Sequence, residues 1–372
     1  MRFLHSADWH LDTPFPGRLP RPVARRRREE LRQTFAAFVD LALAEEVDLV
    51  LIAGDLIEQD QASPATLRYL DEELSRLDGR PVFIAAGNHD PLSRSSLYLT
   101  HPWRSRGVHI FAGEGWEKVE LSGVTVWGFS WTRPKITRPM FAELTAGPEP
   151  SIVLVHADLV SQGEPSPYLP FSLAELAAVG TSYCALGHLH QPRLLHGPDG
   201  RLLGAYPGSP EPLNWGEPGE HGVILGQLTE GRVEVSFRPL ATRAYLTAEV
   251  AVEPELTTAR LLERIRDSFS PQQCHRDLCR VRLIGRRDPD ETVDRDHLAA
   301  NLTDFYCLEI DDQTQPDYDL EALVQREASL LGDYARAVWA ELERASGEEQ
   351  AIWERALYLG LDALTGRGVG RP

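Results

Sequence analysis

Five short stretches of this chain carry side chains able to hold a divalent cation: Asp8 with His10, Asp55, Asn88 with His89 and Asp90, His156, and His188 with His190. Seven of these residues (Asp8, His10, Asp55, Asn88, His156, His188 and His190) offer oxygen and nitrogen donors, with no thiolate among them. That donor set suits Mn, Fe or Zn rather than a thiolate zinc knot. Two divalent cations about 3.5–4 Å apart, sharing one bridging carboxylate, would use that many ligands.

Each stretch follows an apolar run: residues 3–5, 49–52, 82–84, 152–155 and 183–186. Continuous apolar runs bounded by glycine and polar residues read as fully buried strands. Ligands of open α/β sheets sit beyond the carboxyl ends of the strands, so five such strands bring these side chains to one edge. Leu31, Phe35, Phe38, Val39 and Ala42 recur at helical spacing and predict a crossover helix over 23–46. Ser63-Pro64 opens a second helix reaching about residue 77, with Ser63 as cap and Pro64 at the first position. Residues 97–106 read as a short helix or loop. Residues 108–111, 116–121 and 124–129 read as strands of a second sheet, with a turn at Ser122-Gly123. Further strands are expected at 202–205, 222–228 and 233–237, with a Pro-rich mobile flap over 163–170.

The order D-x-H, G-D, G-N-H-D, lone H and G-H-x-H resembles the signature of the calcineurin-like metallophosphoesterases. The resemblance implies an α/β fold: a two-sheet sandwich flanked by helices. It assigns Asp8, His10, Asp55 and His190 to one metal, and Asp55, Asn88, His156 and His188 to the other, with Asp55 as bridge. Two such ions, most simply Mn2+, lower the pKa of a shared water and stabilise charge on the phosphoryl oxygens. His89 is left to protonate the leaving oxygen or stabilise the transition state, with Asp90 orienting it.

Within the superfamily the chain is similar to the SbcD-type DNA-repair nucleases. The stretches that carry this likeness are 3–10, Gly54-Asp55-Leu56, 87–90, 187–190 and Tyr206-Pro207-Gly208-Ser209-Pro210. Asp12 departs from the D-W-H-L-G of the main group. Ile57 and Glu58 stand where an aromatic and then His or Asp are frequent. The resemblance implies a Mn-dependent DNA exonuclease, with endonuclease activity as a second mode. It also implies a homodimer, with Leu67, Leu70, Leu97 and Tyr98 as candidate contacts, and an SbcC-type ATPase partner docked on C-terminal helices. The competing readings are a metallophosphoesterase acting on small phosphoesters or cyclic nucleotides, and an inactive scaffold. The 130 or so residues beyond Pro239 favour the nuclease, and the complete ligand set opposes the scaffold.

The 372 residues suggest two or three domains: 1–240 for the nuclease, 245–312 for a small α+β capping and DNA-binding domain, and 318–366 for a helical hairpin. The α+β stretch carries strand-like runs at 246–252 and 278–284 and a helix over 258–269. No run of eighteen apolar residues and no signal pattern at Met1 is present, so a cytoplasmic protein without a membrane partner is expected. The four scattered cysteines, Cys184, Cys274, Cys279 and Cys307, read as buried free thiols. A net charge of −18 excludes a general nucleic-acid coat but not a nuclease, since metal ions neutralise phosphate locally.

Basic residues cluster twice. The run Arg25, Arg26, Arg27 and Arg28, after Arg18 and Arg21, is either a solvated first turn or a phosphate-contacting patch. Arg133, Lys135 and Arg138 lie in a basic and aromatic loop, a candidate DNA contact or a plain surface loop. In the tail, Leu320, Leu323, Val324, Leu331, Tyr334 and Val338 recur as one helical face. Ser346 and Glu349 fit a capping box opening a second helix. That hairpin either packs on the core or leaves its apolar faces open for the ATPase.

Overall fold

The computed structural model describes residues 1–15, 19–121, 123–145, 150–161, 163–325 and 329–366. Gly17, Arg18 and Ser122 of the expected loops and turn, and residues 326–328 of the tail, lie outside that set. The chain forms two compact units, Met1–Tyr245 and Leu246–Pro372.

Among the described residues the first unit contains fourteen strands in chain order: β1 (Arg2–Ser6), β2 (Leu49–Ala53), β3 (Val82–Ala85), β4 (Val108–Ile110), β5 (Glu117–Leu121), β6 (Val124–Phe129), β7 (Ser151–His156), β8 (Asp158–Leu159), β9 (Pro170–Phe171), β10 (Tyr183–Gly187), β11 (Arg193–His196), β12 (Leu202–Tyr206), β13 (Gly222–Thr229) and β14 (Arg232–Pro239). Its helices are α1 (Arg21–Ala44), α2 (Pro64–Ser75), α3 (Leu97–Thr100) and α4 (Leu173–Val179). Two six-stranded sheets run β14-β13-β1-β2-β3-β4 and β11-β12-β10-β7-β6-β5. The strands β1 to β4 are mutually parallel, as are β6, β7, β10 and β12, while β5, β11, β13 and β14 run antiparallel to their neighbours.

The architecture is the expected two-sheet α/β sandwich, but the sheets divide differently. The five motif strands do not share one sheet: β1, β2 and β3 belong to the first, β7 and β10 to the second. Residues 108–110 pair with β3 and extend the first sheet. An apolar run announces a buried strand but not its partner, because central strands of either sheet are apolar on both faces.

Alternation along the strands sorts the core into three layers. Leu49 and Leu51 of β2 face inward with Phe3, Phe83, Ile152, Leu154 and Tyr183 between the sheets. Val50 and Ile52 face outward onto Leu31, Phe35, Phe38, Leu67 and Leu70 of α1 and α2. On the far side, Val153, Val155, Cys184 and Leu186 pack against Phe141, Phe171 and Leu176. Each fully buried Leu, Ile or Phe contributes roughly 1.5–3 kcal/mol. Leu67, Leu70 and Tyr98, offered above as dimer contacts, are themselves buried in this core.

The second unit opens with β15 (Tyr245–Val252), α5 (Thr258–Asp267), α6 (Pro271–Arg276), β16 (Leu278–Arg287), α7 (Arg295–Asn301), β17 (Cys307–Asp312) and β18 (Gln315–Pro316). A sheet β15-β16-β17, with β18 on β16, packs on α5 and α7 through Ile265, Val281, Leu283 and Leu298. All four cysteines are buried free thiols. The tail follows as α8 (Leu320–Gln325), α9 (Leu330–Leu342) and α10 (Glu348–Leu364).

The apolar faces of α9 and α10 meet each other in part. Ala335 and Val338 of α9 bury against Leu357 and Leu361 of α10, leaving Leu330 and Ile352 as the most exposed large apolar side chains. The Ser346 capping box does not form either: Gly347, at φ 60°, takes the cap, and Glu348 and Glu349 stand in the first turn without a cap hydrogen bond. Glycine adopts that left-handed conformation without a Cβ clash, and the two acids still suit the helix dipole.

Candidate metal centre

The ends of both sheets meet because two glycines let them. A Cβ on Gly187 would lie 1.9 Å from the Ala53 carbonyl of the opposite sheet. One on Gly54, at φ +86°, would lie 2.6 Å from Nδ1 of His156. The adjoining turns are tight: Asp8, His10, Asp55 and His188 all hold positive φ, at 53°, 44°, 51° and 111°. Such conformations cost about 1–3 kcal/mol each and persist where surrounding structure over-determines them. Here the Asp8 and His10 amides donate to the Gly54 and Asp55 carbonyls at 3.1 and 2.9 Å. Between them, Trp9 turns the other way and packs against Phe35 and Phe38, anchoring the turn to α1.

The donors converge. Nε2 of His10 and Nε2 of His190 face each other at 3.2 Å. Nε2 of His156 stands 3.0 Å from Oδ1 of Asn88 and 3.3 Å from Oδ2 of Asp55, the same oxygen that lies 3.7 Å from Nε2 of His10. The other Asp55 oxygen accepts the His89 amide at 2.9 Å, so Oδ2 is the atom common to both groups. Asp8 lies 3.9 Å from His190 and accepts the His188 amide at 3.1 Å. The His188 ring packs 5.2 Å from that of His156 and 4.9 Å from Tyr168, and its nitrogens have no hydrogen-bond partner among the described residues.

This arrangement fits divalent cations. Metal bonds of about 2.1 Å place two donors of one ion about 3.0–3.4 Å apart. The Nδ1 atoms of His10, His190 and His156 are engaged by Glu58 at 2.7 Å, Glu217 at 2.9 Å and the Ala53 carbonyl at 2.9 Å. Nδ1–H donation there fixes the tautomer and leaves the Nε2 lone pairs facing inward, the outer-shell pattern of metal-ligating histidines. Two such lone pairs at 3.2 Å repel unless a cation lies between them.

The family profile described as calcineurin-like phosphoesterase matches residues 1–192, more than half of the chain. The chain belongs to that family. It is 27% identical over 362 residues to the Bacillus subtilis protein named uncharacterized metallophosphoesterase YhaO, covering 91% of this chain and 88% of the relative. It is 29% identical over 295 residues to the D component of the nuclease SbcCD of Rhodobacter capsulatus, 62% of this chain and 67% of the relative. The DNA double-strand break repair protein Mre11 of Sulfurisphaera tokodaii is 28% identical over 200 residues, about half of each chain. As a calcineurin-like phosphoesterase the chain is a metal-dependent hydrolase of phosphoesters, and the cofactors of the family are divalent metals.

Electrostatics in this phosphoesterase centre follow from crowding acids and imidazoles in a dry site. Burial pulls His156 down, but Asp55 and Asp8 overcome it and lift the ring to about 9. Burial likewise opposes charge on His190, yet Glu217 and Asp8 raise it to about 9. Burial and the neighbouring His156 depress His188 to about 3. Burial pushes Asp8 above the usual carboxylate range, while Asp55 is pulled below it by His156 and His10 against the same burial.

His89 and Asp90 part company. The His89 side chain is 46% exposed, and its Nδ1 pairs with Oε2 of Glu58 at 3.1 Å, which is the main reason its pKa is raised. Asp90 does not orient it. Its carboxylate is fully buried and accepts the amides of Gly87, Leu56 and Asp55 at 2.6, 2.7 and 3.2 Å, plus the Tyr98 hydroxyl at 2.6 Å. Asp90 therefore locks the β2 and β3 turns together, and Glu58 holds His89. The same Glu58, bridging His10 and His89, is drawn down to about 2 by their hydrogen bonds against its burial.

Glu58 and Glu217 were missed by motif reading. Glu58 follows Asp55 by three residues and was visible only as a departure. Glu217 lies 27 residues beyond His190 with no sequence signal. It also accepts from Ser209, Leu213 and Asn214.

The basic clusters resolve unevenly. Arg27 is buried, with Nη1 2.8 Å from Glu30 and Nη2 2.8 Å from Glu211, so it cannot contact phosphate. Arg26 pairs with Glu30, and Arg28 donates to the Pro14 carbonyl. Arg25 is exposed. In the other loop Arg138 pairs with Glu143, whereas Arg133 and Lys135 are exposed. Trp131 of that loop is no surface aromatic: it is wholly buried and donates to the His156 carbonyl at 2.7 Å. The expected flap is pinned, with Ser166 donating to Asp158 and Leu169 donating to the Ile136 carbonyl.

Proposed function

We propose that this chain is a Mn-dependent DNA nuclease that hydrolyses phosphodiester bonds in DNA repair. The observation carrying this reading is the convergence of Asp8, His10, Asp55, Asn88, His156 and His190, with the His188 ring packed on His156, beside a half-exposed, Glu58-held His89. The relatives named for the nuclease SbcCD and for Mre11 turn the reading from phosphoesters in general toward DNA. Asp8, His10, Asp55 and His190 would hold one cation; Asp55, Asn88, His156 and His188 the other. Bound there, the cations supply Lewis acidity that lowers the pKa of water and offsets phosphoryl charge. The hydrogen bond to Glu58 raises the pKa of His89 and so favours the protonated ring that would donate a proton to the leaving oxygen. Asp90 and Trp131 hold the turns that carry Asp55 and His156. Arg133 and Lys135, exposed in the loop that follows buried Trp131, are candidate contacts for a phosphate backbone.

In this reading residues 1–240 are the nuclease domain, residues 245–312 a small domain for DNA binding, and the α9–α10 hairpin docks an SbcC-type ATPase through surface left after the helices bury each other. The active species is a cytoplasmic homodimer. The deciding experiment compares Mn-dependent cleavage of end-labelled duplex DNA with hydrolysis of bis(4-nitrophenyl) phosphate. Hydrolysis of the small diester without any DNA cleavage would turn the reading to small phosphoesters.

A further inference from the structure

The two sheets of the first unit leave a cleft of about 330 Å³ between their edges, at the end where the metal-binding side chains gather. Leu194 of β11 forms one wall, with β12 at Tyr206 beneath it, the tyrosine ring itself being buried on the far face of that sheet; Ile224 of β13 with Val235 and Phe237 of β14 form the other. Register places these residues near the metal edge. Ile224 pairs with His5 of β1, Phe237 pairs with Ile224, and Tyr206 pairs with Arg193, at the start of the strand that follows His190. The rims are continuous with the centre. One begins at Gln191, beside His190. The other is Pro218-Gly219-Glu220, directly after Glu217, whose carboxylate holds His190. The Gln191 amide donates to the Pro218 carbonyl at 3.1 Å and ties the rims together.

The chemistry of the cleft is lopsided. Its walls are aliphatic and aromatic, and Leu194 leaves 49% of its surface to solvent. At the mouth Arg193 and Glu220 are both exposed, one on each rim, and Arg193 has no ion-pair partner among the described residues. A ligand matching this has a flat apolar body and an anionic group one short link away, and it places that group beside His190. Volume near the lower end for ligand clefts suits one small ring system rather than an extended chain.

We propose that this cleft is a nucleobase subsite, holding the base of the nucleotide next to the scissile phosphate. The inference rests on the DNA reading above and specifies how that substrate is seated. The base packs between Leu194 and Phe237, and Arg193 pairs with the adjoining phosphate. The walls offer few groups to read base edges, so the cleft senses that a base is present more than which base it is.

The test is a cycle between protein and substrate. Single-stranded oligonucleotides, intact or with one tetrahydrofuran abasic residue moved stepwise past the cleavage point, are digested with Mn2+ by the wild-type chain and by Leu194→Ser. Leu194 is half exposed, so the variant folds; its melting temperature checks this. For the wild type, the abasic residue raises KM about tenfold at one position beside the scissile bond, a moderate value for a stacked base. Leu194→Ser raises KM by a similar factor on intact DNA, but matches the wild type on the oligonucleotide abasic at that position, since interacting sites are not additive. Arg193→Gln weakens binding of both substrates and flattens its salt dependence. Equal KM for variant and wild type on intact DNA, or an abasic penalty that persists in Leu194→Ser, overturns the subsite. Wild-type protein that hydrolyses bis(4-nitrophenyl) phosphate but no oligonucleotide overturns the nuclease reading itself, and the subsite falls with it.

Discussion

Arg27→Met separates the structural from the phosphate-binding reading of the arginine run on α1. The guanidinium is wholly enclosed and neutralises two buried acids, with nitrogens 2.8 Å from both Glu30 and Glu211. When it is lost, Glu30 keeps Arg26 and Arg243. Glu211, also fully buried, is left, among the described residues, with the neutral donors of Thr34 and Thr242. Stripping a buried carboxylate of its cation costs about 3–5 kcal/mol. In a unit of this size each kcal/mol moves Tm by about 2–4 °C, so the first unit should melt about 6–20 °C lower. Adding Glu211→Gln removes the unpaired charge and should recover at least half of that loss. Calorimetric unfolding reads both variants. Arg25→Gln, Arg26→Gln and Arg28→Gln together should shift stability far less, surface changes being within about 0.5 kcal/mol each. If those three side chains do meet DNA, the slope of binding against salt falls by at most about 2.7, three contacts at about 0.9 each. An Arg27→Met protein that melts with the wild type, yet binds DNA with a flatter salt dependence, would refute the structural assignment.

Further outcomes follow from the centre. His89→Ala should keep both metals and lose about 10²–10⁴-fold in rate; metal loss in parallel with activity, by elemental analysis, would make His89 a ligand instead. Glu217→Gln should weaken metal binding about 10–100-fold, because the carboxylate that orients His190 is lost; unchanged affinity by titration calorimetry would remove Glu217 from the centre. His156 and His190 both stand near 9 without metal, and only the neutral ring binds a cation. Affinity should therefore fall as pH drops below about 9, and loading at pH 7 should release about two protons. Calorimetry in buffers of different ionisation enthalpy counts them, and affinity constant from about pH 6 to 8 would contradict the assignment.

The spacing of Asp8, His10, Asp55, Asn88, His156, His188 and His190 could be read from the chain because each sits at the end of a strand whose apolar run is local information. Helix α1 and the start of α2 at Ser63-Pro64 were legible for the same reason: periodicity and capping act over a few residues. The faces of α9 and α10 were legible too, but not that they would meet each other. What neighbours a strand in space is not local, so the division of β1–β3 and β7, β10 between two sheets came only from the fold. Charge is equally ambiguous along a chain. Arg27 looks like Arg25 until Glu211, far away in sequence, closes over it. Asp90 looks like a partner for His89 until the β2 turn supplies three amides to it, and Glu58 and Glu217 acquire roles only through histidines that the turns aim at them. The sequence determines which groups can bind metal. The tertiary structure decides which carboxylates orient them, because hydrogen bonding depends on distances that the order of residues does not contain.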